Sequence, residues 1–220
     1  MVIDATFFGK RSDKFGLIVA KDTIYNQPVW YRFIHTETIK EYALMKAQLL
    51  SEGFCIKAVT MDGKRGLYGL FRDIPVQMCH FHQQAIITRY LTRKPKMQAS
   101  IDLKRITSYL GKVSACRFHY LLLAWYQRHE VFINEKVSDD SKRGWHYKHK
   151  RLRAAYRSLQ SHFKYLFSYQ YYADLHIPTT TNALDGGLFS PMKMLLNVHR
   201  GIGIEMKKKL ITDYLENLRK

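Results

Sequence analysis

Apolar positions along the first third of the chain predict strands that give way to a helix. Three segments are rich in β-branched and aromatic side chains and are separated by short turns, which favours an antiparallel meander. Residues 36–54 then repeat their apolar side chains at helical spacing, with Thr36 or Thr38 as the cap and Gly53 as the end. The three predicted strands are 2–8, 15–22 and 29–36.

The pattern continues to alternate up to about residue 92. We predict a strand over 55–62, a short helix over 65–74, a strand over 75–82 and a helix over 83–92. Three hairpin strands followed by alternating strands and helices predict an α/β fold, in which a mixed sheet carries helices on its faces.

Residues 101–170 lose the strand signal and show long helical periods instead. In the segment "KRLRAAYRSLQSHFKYLF" the apolar side chains form one stripe and the Arg and Lys side chains lie opposite. We therefore predict an all-helical insertion with a polar loop over 134–144. The predicted organisation is a first part of the core over 1–100, the insertion over 101–175 and C-terminal helices over 176–220 that complete the core.

The charge of the chain indicates a polyanionic partner. Thirty-six Lys and Arg against eighteen Asp and Glu give a formal net charge of +18. Nucleic acid is the leading partner, ahead of an anionic membrane or ribosomal RNA. No run of eighteen apolar residues is present, so we expect no membrane span. Three scattered cysteines favour a reducing cytoplasm.

A basic stretch over 141–157 lacks acids and contains Trp145, Tyr147 and Tyr156. Cations neutralise phosphates and aromatic rings stack on splayed bases, so this stretch predicts contact with nucleic acid, against the alternative of a solvated helix face. The residues predicted to contact DNA are Lys64, Arg65, Lys142, Arg143, Lys148, Lys150, Arg151, Arg153 and Arg157.

Three carboxylates are candidates for a metal site. Asp4 and Asp62 follow apolar strand residues, and a mixed sheet often lays the first strand beside the strand that follows the first helix. Asp185 lies where a Thr/Asn cluster starts a helix, with Glu205 as a weaker competitor. The plain alternatives are two unrelated strand-end acids, with Asp62 in an ordinary turn, and an acid that stabilises a helix start. If the three converge, they suit two-metal phosphoryl transfer.

Two Cys-x-x-His pairs raise the possibility of zinc. Cys79 with His82 and Cys116 with His119 would together supply two sulfur and two nitrogen ligands. The alternative is a set of buried structural cysteines and hydrogen-bonded histidines.

Four motifs, "IDATFF", "VTMDGKRGLYGLF", "VQMCHFHQ" and "TTTNALDGGLFSPMK", follow one another in this order. As a set they resemble the catalytic part of Mutator-type transposases of bacterial insertion sequences, and the resemblance covers essentially the whole chain. It implies an RNase H-like sheet with an Asp-Asp-Glu triad and a helical insertion before the last acid. Such enzymes cleave and transfer DNA strands at element ends.

The resemblance implies specific roles for the residues that match these motifs. Asp4, Asp62 and Asp185 would be catalytic and would bind two Mg²⁺ or Mn²⁺ ions. Cys79 and His82 match the family's Cys-x-x-His motif. Asn182 and Asp185 match its Asn-x-x-Glu motif, with Asp in place of Glu. The partners implied are double-stranded DNA, both element ends and target, and further copies of the chain assembled on that DNA.

Two other functions remain open. One is a structure-specific nuclease on the same RNase H-like fold. The other is a truncated, non-catalytic DNA-binding fragment that modulates a full-length transposase. Such transposases carry a DNA-binding region before the first catalytic strand, whereas this chain begins three residues before Asp4. We therefore expect that region to be missing here.

Overall fold

The computed structural model describes residues 1–64, 66–139, 144–199 and 201–219. The chain forms two compact units. The first, here called the sheet unit, comprises Met1–Cys79 and Tyr172–Lys220. The second, the helical unit, comprises His80–Tyr171. None of the described helices is long and apolar enough to cross a bilayer.

The first segment of the sheet unit supplies a five-stranded mixed sheet in the order β3-β2-β1-β4-β5. Strands β1, β2 and β3 are antiparallel neighbours, while β4 runs parallel to both β1 and β5. The elements are β1 (Val2–Phe8), β2 (Phe15–Lys21), β3 (Pro28–Ile34), α1 (Ile39–Ser51), β4 (Val59–Met61), α2 (Leu67–Leu70) and β5 (Val76–Met78).

The predicted mixed sheet flanked by helices is confirmed. The three hairpin strands lie within two residues of their predicted bounds. Helix α1 begins after Thr38, whose side chain accepts a hydrogen bond from the Glu41 N–H, and Gly53 follows its end with a positive φ of 86°. The strand predicted over 55–62 is shorter, because only Val59–Met61 pairs with its neighbours.

The helical unit contains five helices and a short hairpin within its described residues. Its elements are α3 (His80–Leu91), α4 (Gln98–Thr107), α5 (Ala115–Ile133), β6 (Lys136–Ser138), β7 (Trp145–Tyr147), α6 (Lys150–Leu166) and α7 (Ser168–Tyr171). Its interior includes the buried rings of Phe118, Trp125 and Phe167. The Trp125 Nε1–H donates to the Ala99 carbonyl at 2.9 Å, which ties α5 to α4.

The predicted end of the strand over 75–82 is wrong. The strand predicted to run to residue 82 ends at Met78, and a helix starts at His80 because His80, Gln83, Ile87 and Leu91 are buried at helical spacing. This helix packs on α4 and α6 and opens the compact helical unit at His80.

The predicted insertion is also not entirely helical. Within the predicted loop and just after it, β6 and β7 pair antiparallel, with Val137 opposite His146. Trp145 and Tyr147 are good strand formers, but each strand is only three residues long and leaves little periodic signal.

The chain then returns to the sheet unit and covers one face of the sheet. Short elements precede two longer helices: α8 (Asn182–Leu184), a π-helical turn (Asp185–Phe189), α9 (Ser190–Val198) and α10 (Ile204–Asn217). Val2, Leu17 and Val19 of the sheet form one buried cluster with Leu188 and Phe189. Every residue of β2 is buried, as expected for a strand covered on both faces.

Candidate metal centre

Asp4 lies on the central strand and faces the returning helices. Paired positions of an antiparallel ladder share a face, and Asp4 is opposite Val19. Val19 belongs to the apolar cluster beneath α8 and α9. The side chain of Asp4 is therefore on that covered face, where it is only 9% exposed. Its Oδ1 accepts a hydrogen bond of 2.8 Å from the Ala5 N–H.

Asp185 reaches the same place from the first residue of the π-helical turn. One carboxylate oxygen of Asp185 and one of Asp4 lie within 4.8 Å of each other. The structure therefore brings together two acids that are 181 residues apart in the sequence (185 − 4). Two oxygens bound to one Mg²⁺ at about 2.1 Å are at most about 4.2 Å apart, so this separation is close to what a shared ion requires.

The residue that holds Asp185 is Thr181, which the sequence analysis did not single out. The Thr181 side chain is fully buried, and its hydroxyl lies 3.0 Å from Asp185 Oδ2 as a donor. The Thr181 N–H donates to the sulfur of Cys79 at 3.3 Å. A thiol at the end of β5 thus fixes the loop that carries the donor to the carboxylate.

Asp62 directly follows β4, the neighbouring parallel strand. Val2 is paired with Thr60, and Asp4 and Asp62 each come two residues after that pair, in chains that run parallel there. Thr60 points toward the returning segment, because its hydroxyl donates to the Pro178 carbonyl at 2.6 Å. No carboxylate oxygen of Asp62 lies within 4.8 Å of both of these Asp4 and Asp185 oxygens.

The turn after Asp62 also uses its carboxylate. The Lys64 N–H donates to Asp62 Oδ1 at 3.0 Å, which is the hydrogen bond of an aspartate that initiates a turn. Asp62 is half-buried. The hydrogen bond to the turn does not prevent Asp62 from binding a cation, because a carboxylate has enough lone pairs for both a backbone donor and a metal ion.

A further carboxylate, Glu37, lies close to these acids. Its Oε1 accepts the hydroxyl of buried Tyr42 at 2.8 Å and the ammonium of Lys64 at 3.2 Å. The pKa of the Tyr42 phenol is raised well above its usual range, mainly by burial. The charge and hydrogen bond of Glu37 and the charges of Asp62 and Asp4 raise it further. Tyr42 therefore remains a hydrogen-bond donor in a negative environment. Glu37 precedes a helix cap, and nothing in its sequence context distinguishes it from an exposed acid.

The other family-motif residues have distinct local roles. The Asn182 side chain lies over Gly186, where an added Cβ would come within 2.8 Å of Asn182 Oδ1. A side chain at Gly186 would therefore displace the Asn182 side chain from its present position over the π-helical turn. Cys79 is buried with its sulfur hydrogen-bonded to Thr181, and His82 lies in the first turn of α3 in the helical unit.

The second Cys-x-x-His pair lies on α5. Cys116 is exposed there, and the ring of His119 meets Phe163 edge-on at 5.3 Å. Cys79 has the environment of a buried structural thiol, which was the alternative to zinc.

The residues predicted to contact DNA differ in how far their charges are already engaged. Lys64 is held by the carbonyl and carboxylate of Glu37. Lys148 pairs with Glu135 at 2.7 Å, and Arg151 donates to the Arg89 carbonyl. The Arg153 guanidinium donates to the Ile133 carbonyl and the Asn134 side chain and lies over the ring of Tyr147. Lys150 and Arg157 are exposed on α6, whereas Arg65, Lys142 and Arg143 lie outside the described residues.

Comparison with known proteins does not identify a family for this chain. No protein-family model matches the chain, and a search of curated proteins finds no match. The assignment of a function therefore rests on the geometry above. Carboxylate oxygens are the ligands that Mg²⁺ and Mn²⁺ prefer, and the partly buried pair of Asp4 and Asp185 fits such a cation.

Replacement of Thr181 by Val should weaken Mn²⁺ binding by about 10- to 100-fold, the usual cost of losing an outer-shell partner. Val has nearly the shape of Thr but leaves Asp185 Oδ2 without its donor. The measurement is titration of free Mn²⁺ by electron paramagnetic resonance. Thr181→Ser keeps the hydroxyl and should bind nearly as tightly as the parent. Equal weakening in both variants would mean that Thr181 acts through packing alone.

Proposed function

We propose that this chain is a DDE-type transposase that cleaves and transfers DNA strands at insertion-sequence ends with the help of divalent metal ions. The observation that carries the proposal is the approach of Asp4 and Asp185 to within 4.8 Å on the covered face of the sheet. Two carboxylates that come together from distant parts of a chain are costly to bury unless a cation or a proton neutralises them.

We also propose that the sheet is RNase H-like. Three antiparallel strands followed by two parallel ones support this fold, as does the position of the helical unit between the second and third acids. These are the features that the resemblance to Mutator-type transposases implies.

Asp4, Asp62 and Asp185 would hold the ions, with Thr181 and Cys79 fixing Asp185 and the Lys64 N–H fixing Asp62. Bound Mg²⁺ or Mn²⁺ supplies activation of the attacking hydroxyl and charge stabilisation at the leaving oxygen. Asp185 is one methylene shorter than the family's Glu. Burial of Leu188 and Phe189 in the core anchors the turn that presents it.

Cleavage and joining are distinct outcomes of this chemistry, and they separate the candidate functions. The test is incubation of the purified chain with supercoiled plasmid and a labelled oligonucleotide carrying a 3′-hydroxyl, in Mn²⁺ or in EDTA. We expect nicking and label transfer to the plasmid in Mn²⁺ only. Nicking without joining would favour the nuclease. DNA binding with neither activity would favour the non-catalytic fragment and contradict the proposal.

A further inference from the structure

A groove between α5 and α6 in the helical unit has no role in the proposed metal site. It contains a cavity of about 420 Å³, lined by Leu123, Tyr126, Tyr156, Arg157 and Gln160 among others. A second cavity of 250 Å³ shares Leu123, Tyr156 and Gln160 with the first. The two cavities therefore form one continuous groove along the two helices.

The groove combines flat aromatic surface with amide and guanidinium groups. The rings of Tyr126 and Tyr156 stack at 5.1 Å with only 16° between their planes. Gln160 donates to the Tyr156 hydroxyl at 2.9 Å, which fixes the ring. Arg153, Arg157 and Gln160 recur at helical spacing and so lie along one face of α6.

The positive charge along the groove favours an anionic ligand. Helix α6 carries Lys and Arg side chains and no acid over Lys150–Leu166. Glu130 is the acid of α5, and it is not among the lining residues. A groove of this kind, with aromatic faces for stacking beside cations for phosphates, is the arrangement that binds single-stranded nucleic acid.

We propose that this groove binds unpaired bases of a single DNA strand. In a duplex the base faces are already stacked on one another, so only splayed bases can contact Tyr126 and Tyr156. The inference deepens the proposed function, since it rests on DNA as the partner and adds that strand ends or unpaired nucleotides are held by the helical unit. It requires no metal ion and no cleavage.

The test compares two exposed apolar residues of α5. Leu123 lines the groove and is 46% exposed, whereas Val131 is 89% exposed and does not line it. Leu123→Glu and Val131→Glu introduce the same charge on the same helix at positions that tolerate polar groups. Affinity is measured in EDTA by fluorescence anisotropy with labelled oligothymidylate and with a duplex of the same length.

We expect Leu123→Glu to weaken binding of oligothymidylate by about 10-fold or more relative to Val131→Glu, while duplex binding changes equally in the two variants. Tyr156→Leu, which retains an apolar contact with Trp125, should also selectively weaken single-strand binding. Equal effects of the two Glu variants on both DNAs would overturn the proposal.

Self-association is the competing use of this surface, and light scattering detects it. If the parent chain dimerises, Leu123→Glu is monomeric and oligothymidylate binding is unchanged, the groove contacts a second copy and the proposal fails. A chain that binds oligothymidylate through the groove but never nicks plasmid would contradict the proposed function and leave this inference standing.

Discussion

Asp4→Asn should abolish Mn²⁺-dependent plasmid nicking while DNA affinity changes little. Asp4 supplies an oxygen within 4.8 Å of Asp185 from a rigid position on the central strand. Asn has nearly the same shape but is a neutral and weaker ligand. Loss of an outer-shell partner costs about 10- to 100-fold, so loss of a ligand should cost at least about 100-fold in the nicking rate. Asp62→Asn and Asp185→Asn should have effects of the same kind.

Asp213→Asn is the matched control. Asp213 is an exposed acid of α10 in the sheet unit, and its replacement makes the same change in charge on the solvent side of a helix whose Ile211 and Leu215 pack in the apolar cluster. We expect it to nick at the parental rate. Nicking rate is measured as conversion of supercoiled to open-circular plasmid, and affinity by anisotropy with duplex DNA. Parental nicking by Asp4→Asn would make Asp4 a structural residue, and loss of DNA binding in that variant would do the same.

The sequence predicts the sheet well, and it predicts the adjacent strands that precede Asp62 and carry Asp4, because these depend on local patterns. Alternation of β-branched and aromatic residues determines β1, β2 and β3, and the cap at Thr38 determines α1. The expected pairing of the first strand with the strand after the first helix is observed between β1 and β4. Asp4 and Asp62 each come two residues after the paired residues Val2 and Thr60.

Other features of the site depend on contacts between distant residues and leave no pattern in the sequence. Thr181 becomes important only because its hydroxyl meets Asp185 while its N–H meets Cys79, 102 residues away. Glu37 gains its role from Tyr42 and Lys64, which reach it from one helix and one turn. The hairpin of β6 and β7 is too short for periodicity to reveal.

The π-helical turn from Asp185 to Phe189 links the metal centre to the core. The Ser190 N–H donates to the Asp185 carbonyl across this wider turn. Asp185, at the start of the turn, lies near Asp4, while Leu188 and Phe189 pack in the apolar cluster. The same turn therefore contributes two side chains to the core and positions the third acid.

Phe189→Ala should accordingly lower the free energy of unfolding by about 3–5 kcal/mol, the usual cost of removing a buried phenyl ring and leaving a cavity. Phe189 is 2% exposed and packs in the cluster with Leu184 and Met192. Such a loss is a large part of the 5–15 kcal/mol that typically stabilises a domain. The measurement is urea unfolding followed by far-UV circular dichroism.

Met194→Ala provides the comparison for Phe189→Ala, because Met194 is on α9 but is 67% exposed. It should change the free energy of unfolding by no more than about 0.5 kcal/mol. Phe189→Leu should retain much of the stability because it fills most of the cavity.

Since the turn also presents Asp185, Phe189→Ala should weaken Mn²⁺ binding under conditions where the variant is still folded, whereas Met194→Ala should not. Equal destabilisation by the two Ala variants would show that the ring of Phe189 is not anchored in the core. It would also contradict the proposed coupling between core packing and the metal centre.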